Sequence, residues 1–182
     1  MPADRHRLFF ALSLPRTAAE TIERWRRPLQ LADGRWLPLA NLHLTLAFLG
    51  EVNDAALEAL LDSDMTGLRP FTLQFGELGY FSKAKILFVA PTTVPDELHR
   101  LAEHCQHLQG RYGNAKKEHR YQPHITLARD VEPPVPAAIA ALTLQFDCRY
   151  VALMSSQNNR DGVTYQEVAQ WPLQRSLRPQ PK

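Results

Sequence analysis

Two short segments, His43-Leu44-Thr45-Leu46 and His124-Ile125-Thr126-Leu127, repeat the pattern His-x-Thr-aliphatic 81 residues apart in a chain of 182. Imidazole, with an ordinary pKa near 6.5, offers both a proton-accepting and a proton-donating form around neutrality. Two such rings facing one substrate can serve as base and acid in the same reaction. In an extended strand, His43 and Thr45 share one face while Leu42, Leu44 and Leu46 share the other. By the same alternation Gln122, His124 and Thr126 lie opposite Ile125 and Leu127. If the two polar faces line a common groove, two imidazoles and two hydroxyls converge there.

A groove of that composition suits displacement at an activated phosphodiester. One neutral imidazole takes a proton from the attacking water, and the other, as imidazolium, protonates the departing oxygen on the far side of an in-line displacement. The threonine hydroxyls can donate to the non-bridging phosphate oxygens, whose charge must be held as the reaction proceeds. A lone strand histidine is more often a half-buried side chain with a hydrogen-bond partner, and threonine favours strands in any case. Matched copies in matched contexts turn the reading toward catalysis. A noncatalytic binding module, left by duplication and using the same groove, stays open.

The elements that must position these residues also recur. Leu8-Phe9-Phe10-Ala11-Leu12-Ser13-Leu14-Pro15 has a counterpart in Leu87-Phe88-Val89-Ala90-Pro91-Thr92-Thr93-Val94-Pro95, and each reads as a strand. A helix is expected after each, Thr17 to about Leu31 and Asp96 to about Tyr112. In the second, Leu98, Leu101, Cys105, Leu108 and Tyr112 form one apolar face. An irregular segment, the His-x-Thr strand and a further helix follow (Asn53 to Leu61, Pro136 to Leu142), and then the identical tetrapeptides Thr72-Leu73-Gln74-Phe75 and Thr143-Leu144-Gln145-Phe146. Strand, helix, strand, helix, strand therefore occurs twice. The expected class is α+β: two pseudo-symmetric lobes, each an antiparallel-rich sheet with helices on its outer face, around a central His/Thr groove. Late strands Cys148 to Met154 and Val163 to Ala169, joined by the Asn159-Arg160-Asp161-Gly162 turn, complete the pattern.

With a net charge of +2 the chain is no bulk polycation, so anionic partners must be met by local patches. Cys105 and Cys148 lack CxxC spacing and read as buried thiols, which points to a reducing compartment. Leu8 to Leu14 after Arg5-His6-Arg7 is short for a secretory signal and ends at Pro15 as a buried strand would; no apolar run approaches a membrane span. A soluble, cytoplasmic protein is expected. His99, His104 and His107, near Glu103 and Cys105, have spacing that could hold a metal, but no His-Glu-x-x-His pattern is present and they read as surface residues. Lys116-Lys117-Glu118-His119-Arg120-Tyr121, with Lys83 and Lys85, is either an upstream phosphate-binding patch or a solvated basic loop.

Both His-x-Thr motifs, the opening Arg7-Leu8-Phe9-Phe10-Ala11-Leu12, the extension Phe48-Leu49-Gly50 and the run Gln122-Pro123-His124-Ile125-Thr126-Leu127-Ala128-Arg129 resemble the 2H phosphoesterase superfamily. The likeness is specifically to its RNA 2′,3′-cyclic phosphodiesterases, historically called 2′-5′ RNA ligases, and covers nearly the whole chain. It implies one bilobal domain over residues 1–182, built by internal duplication, that needs no cofactor or metal and acts on RNA with 2′,3′-cyclic phosphate ends or on small cyclic nucleotides. A monomer is expected, because the duplication supplies both halves of the site. The implied reaction is hydrolysis to a 2′-phosphate, with reversible 2′-5′ joining of RNA ends as a related activity. Another cyclic phosphate, such as ADP-ribose 1″,2″-cyclic phosphate, is the nearer alternative. The resemblance makes His43 general acid and His124 general base, a pairing that pseudo-symmetry leaves interchangeable. Thr45, Thr126 and Arg129 would contact the phosphate and Phe48 the nucleobase. Strict alternation turns Phe48 and Arg129 away from the histidines, so each reaches the groove only if its strand has ended or bulged.

Overall fold

The computed structural model describes residues 5–116, 120–136, 142–159 and 162–174. Among them are β1 (His6–Ser13), α1 (Arg16–Arg26), β2 (Arg35–Trp36), β3 (His43–Val52), α2 (Asp54–Leu61), β4 (Phe71–Phe81), β5 (Ile86–Pro91), α3 (Asp96–Tyr112), β6 (Ile125–Arg129), β7 (Leu144–Cys148), β8 (Tyr150–Asn159) and β9 (Gly162–Pro172). The strands form one antiparallel sheet in the order β7-β4-β5-β6-β3-β1-β8-β9, with β2 on β6. The α+β class and its pseudo-symmetry are therefore as expected. The two motif strands are central neighbours with three strands outside each, and the seam between them is a single ladder pair, Leu44 with Ile125, among the described residues.

Local sequence explains the helix limits. Pro15 precedes α1, which buries Ala18, Ala19 and Ile22; Pro28 lacks the N–H that continuation would need, so the helix stops at Arg26 rather than near Leu31. The side chain of Asn53 accepts the Ala56 N–H at 2.9 Å and starts α2. The span of α3 is the expected one, and its buried face of Leu98, Leu101, Ala102, Cys105 and Leu108 packs on β3. The apolar run near the N-terminus is the buried strand β1. No helix among the described residues is long and apolar enough to cross a membrane. Most of the helix expected over Pro136 to Leu142, and the centre of the turn after Asn159, lie outside the described residues.

Two features differ from simple repetition. The identical tetrapeptides are partners rather than counterparts: β4 and β7 pair through Leu73 with Phe146, Gln74 with Gln145 and Phe75 with Leu144, and the Phe75 and Phe146 rings stack at 5.5 Å. The expected strand from Cys148 to Met154 is divided at Arg149, where the chain leaves β7 at one edge of the sheet and enters β8 beside β1. Cys105 and Cys148 are free and buried, and burial raises both thiols above the ordinary range, Cys148 to about 12.

Candidate active site

Antiparallel pairing of Leu44 with Ile125 sets His43 opposite Thr126 and Thr45 opposite His124. The two histidines thus occupy one diagonal of a square and the two threonines the other. In a regular ladder such a diagonal is roughly 7–8 Å, enough for a phosphoryl group between the rings. Leu44, Leu46, Ile125 and Leu127 are buried on or beside the core, as alternation requires.

Each ring is oriented the same way. His43 Nδ1 lies 2.8 Å from the Asn41 carbonyl and His124 Nδ1 lies 2.7 Å from the Gln122 carbonyl. A carbonyl only accepts, so both Nδ1 atoms carry hydrogen and in each ring Nε2 is the atom that can exchange a proton. Aromatic rings back the imidazoles. Phe9 sits 4.9 Å and Tyr165 5.0 Å from His43, while Phe81 and Phe88 sit 5.1 and 5.3 Å from His124. Burial among these rings lowers the pKa of His43 to about 4, outweighing the Asn41 hydrogen bond that raises it; the charges of Arg129 and His124 lower it further.

One extra residue falls at the aliphatic fourth position of each motif. On β3, Thr45 faces Ala11 and Ala47 faces Phe10, so Leu46 is bulged. On β6, Thr126 faces Phe88 and Ala128 faces Leu87, so Leu127 is bulged. Each bulge reverses the alternation and returns Phe48 and Arg129 to the groove side, which is the condition that strict parity demanded. Phe48 is 47% exposed and lines a shallow cleft with Thr45, Lys116, Tyr121, Gln122 and His124. Arg129 stands at the opposite end, paired in register with Arg35 of β2.

Sequence reasoning missed Tyr165, Phe81 and Arg35, which come from elements outside the motifs. For the motif bulges a signal existed: Leu46-Ala47 and Leu127-Ala128 are adjacent apolar residues that interrupt the alternation. Loops crossing from the other half brace both motif strands. After α1, Arg35 pairs with Arg129, and Leu37 N–H donates to the Leu127 carbonyl at 2.8 Å; after α3, Asn114 and Ala115 N–H both donate to the Leu49 carbonyl. Gly34 (φ +102°) makes the first contact possible, since a Cβ there would lie 2.8 Å from the Arg129 carbonyl oxygen. Of the basic segment, Lys116 reaches the Phe48 cleft, Lys85 pairs with Glu132, and Lys117 to His119 lie outside the described residues. His99 and His107 are exposed, but His104 is half-buried, with its Nε2 sealed from solvent.

A family model described as the 2′-5′ RNA ligase superfamily matches residues 14–160. The chain is 30% identical over 173 residues to the RNA 2′,3′-cyclic phosphodiesterase of Escherichia coli (strain K12), covering 94% of this chain and 98% of that one. A protein of the same name from Methanocaldococcus jannaschii is 23% identical over 175 residues, 91% of this chain and 99% of the relative. The crystal structure of E. coli LigT complexed with 3′-AMP superposes with a TM-score of 0.84 at 30% identity, over 93% of this chain and 99% of that one. With both motifs inside the matched region and the fold shared over nearly its full length, the chain belongs to the 2′-5′ RNA ligase superfamily.

Proposed function

We propose that this protein hydrolyses the terminal 2′,3′-cyclic phosphate of RNA to a 2′-phosphate by paired histidine acid–base catalysis, in a scheme that uses no metal ion. The diagonal square of His43, His124, Thr45 and Thr126 carries the reading: two proton-transfer atoms flank the position of one phosphoryl group, with a hydroxyl beside each. The relatives named RNA 2′,3′-cyclic phosphodiesterase support RNA-type cyclic ends as the substrate. The symmetric strand order supports one bilobal unit that arose by duplication and draws one histidine from each half.

In this scheme Thr45, Thr126 and Arg129 donate to the non-bridging oxygens, and the terminal nucleobase rests on Phe48 in the cleft beside His124. The ribose and its departing O3′ then lie at the His124 end. His124, as imidazolium, protonates O3′, while His43 Nε2 takes a proton from water entering on the opposite side. This reverses the roles the resemblance implies. It is supported by the lowered pKa of His43, which leaves the ring unprotonated at pH 7 and so not the proton donor of the resting site. An RNA 5′-hydroxyl replacing that water would form a 2′-5′ linkage by the same displacement.

The test is turnover of a short RNA ending in a 2′,3′-cyclic phosphate, with a chelator present, by wild type, His43→Ala and His124→Ala. A 2′-phosphate product from wild type, lost in both variants, is expected. Tight binding without turnover by the wild type would overturn the proposal in favour of a binding module. Turnover of ADP-ribose 1″,2″-cyclic phosphate alone would move the substrate away from RNA.

A further inference from the structure

Among the described residues two polar or charged side chains are buried, Arg26 at the end of α1 and Gln109 near the end of α3, each 6% exposed. They make the same connection in opposite halves. The Arg26 guanidinium donates to the Leu37 carbonyl at 2.8 Å, and Leu37 N–H donates to the Leu127 carbonyl on β6. The Gln109 amide donates to the Ala115 carbonyl at 3.5 Å, and Ala115 N–H donates to the Leu49 carbonyl on β3 at 3.1 Å. Each loop residue is thus held between a buried side chain of its own half and the motif strand of the other. The glycines match as well: a Cβ at Gly113 would lie 2.7 Å from the Leu49 carbonyl oxygen, as one at Gly34 would crowd that of Arg129. Burying a polar group is unfavourable unless it is hydrogen-bonded. An apolar side chain would fill either space, but only a donor can hold the loop carbonyl in one place.

We infer that Arg26 and Gln109 are matched positioning residues of the groove, Arg26 aiming Arg129 at the phosphate and Gln109 aiming Phe48 at the nucleobase. The inference rests on the phosphate and nucleobase contacts proposed for those two residues. Beyond Leu44 and Ile125 the motif strands no longer pair with each other among the described residues, so the two loops stand in as their partners. Arg35 and Trp36, adjoining Leu37, pair with Arg129 and Ala128 just past the Leu127 bulge. Holding Leu37 therefore holds that register, and with it the side to which Arg129 points. At the other end the braced Leu49 carbonyl directly follows Phe48, and Gln109 itself lines the Phe48 cleft. The two braces differ in strength. Arg26 is also held by Glu23 at 2.7 Å and lies 5.3 Å from the Trp36 ring, and its bond to the carbonyl is charge-assisted. The Gln109 bond is neutral and long.

The experiment uses the full chain and reads KM for adenosine 2′,3′-cyclic phosphate beside the inhibition constant of inorganic phosphate, which has no base to stack. Arg26→Met should raise both about tenfold, below the roughly 10²-fold that an ångström of misplacement can cost. Gln109→Met should raise KM about threefold, the worth of one neutral hydrogen bond, and leave the phosphate constant unchanged. Arg26→Lys keeps a donor for the Leu37 carbonyl and should restore most of the phosphate affinity; it also carries the test where Arg26→Met does not fold. Ile22→Val removes buried volume from the same helix without removing a hydrogen bond, and should change neither constant. Both constants unchanged in Arg26→Met, or a phosphate constant raised as much as KM in Gln109→Met, would overturn the inference and leave two structural side chains in an intact enzyme. Absence of turnover by the wild type would overturn the underlying reaction, and the inference with it.

Discussion

His43 and His124 are anchored alike, Nδ1 to the carbonyl two residues back, but their surroundings diverge within one residue of that contact. Asn41, which supplies the carbonyl for His43, is itself tied by its side chain to the Val163 carbonyl at 2.7 Å, and Tyr165 from the same β9 strand stands edge-on to the imidazole. Gln122, which serves His124, is exposed, and the rings behind His124, Phe81 and Phe88, stack on each other at 4.2 Å. A repeated motif thus supplies matched geometry, and neighbours recruited from unrelated strands make the copies chemically unequal. The same contrast recurs five residues beyond each histidine, where one strand carries Phe48 and the other Arg129.

Removing either imidazole tests the part of the plan that is shared. His43→Ala and His124→Ala should each lower kcat for a cyclic-phosphate RNA by about 10²–10⁴-fold, measured by product formation at saturating substrate. A large loss in only one would break the equivalence. Thr45→Val and Thr126→Val should each cost about 10²-fold in kcat/KM, the effect of losing one preorganised donor; strongly unequal losses would mean that one hydroxyl alone meets the developing charge.

The braces should respond on stability. Gly34→Ala meets the Arg129 and Asp130 carbonyl oxygens at 2.8 and 2.9 Å in a left-handed conformation. It should lower unfolding free energy by about 1–3 kcal/mol in chemical denaturation and loosen the Arg129 end before the Phe48 end. The pH response sharpens the comparison further. The unfolded chain takes up a proton on His43 near pH 6.5, whereas the folded chain refuses it until about pH 4. Stability therefore falls as the pH drops through that window. His43→Ala should flatten this part of the stability profile, and Tyr165→Leu, by admitting water, should raise the His43 titration seen by NMR. The smallest effect is expected from Lys116→Ala, which should weaken RNA binding and reduce its salt slope by about one counterion with little change in turnover of a small cyclic nucleotide.

Much of this was readable in advance. Leucine and isoleucine between the histidine and threonine positions announced half-buried strands, and the apolar stripe from Leu98 to Tyr112 announced α3 with its limits. The Thr-Leu-Gln-Phe repeats misled in one respect: identity suggested equivalent places in two lobes, yet the segments are hydrogen-bonded neighbours. Local patterning gives strand character but not strand partner, because partners are chosen by contacts far apart in sequence.

What the chain by itself determined is the set of candidate groups and their facing: two histidines and two threonines on the polar sides of two strands, a consequence of the period-two geometry of extended backbone. What only the tertiary structure decided is their relation. The pairing of Leu44 with Ile125 sets the diagonal, the bulges at Leu46 and Leu127 turn Phe48 and Arg129 into the groove, and Tyr165 arrives from the far end of the chain to desolvate His43. Register, bulge position and burial depend on contacts between segments many residues apart, whereas alternation depends on the segment alone.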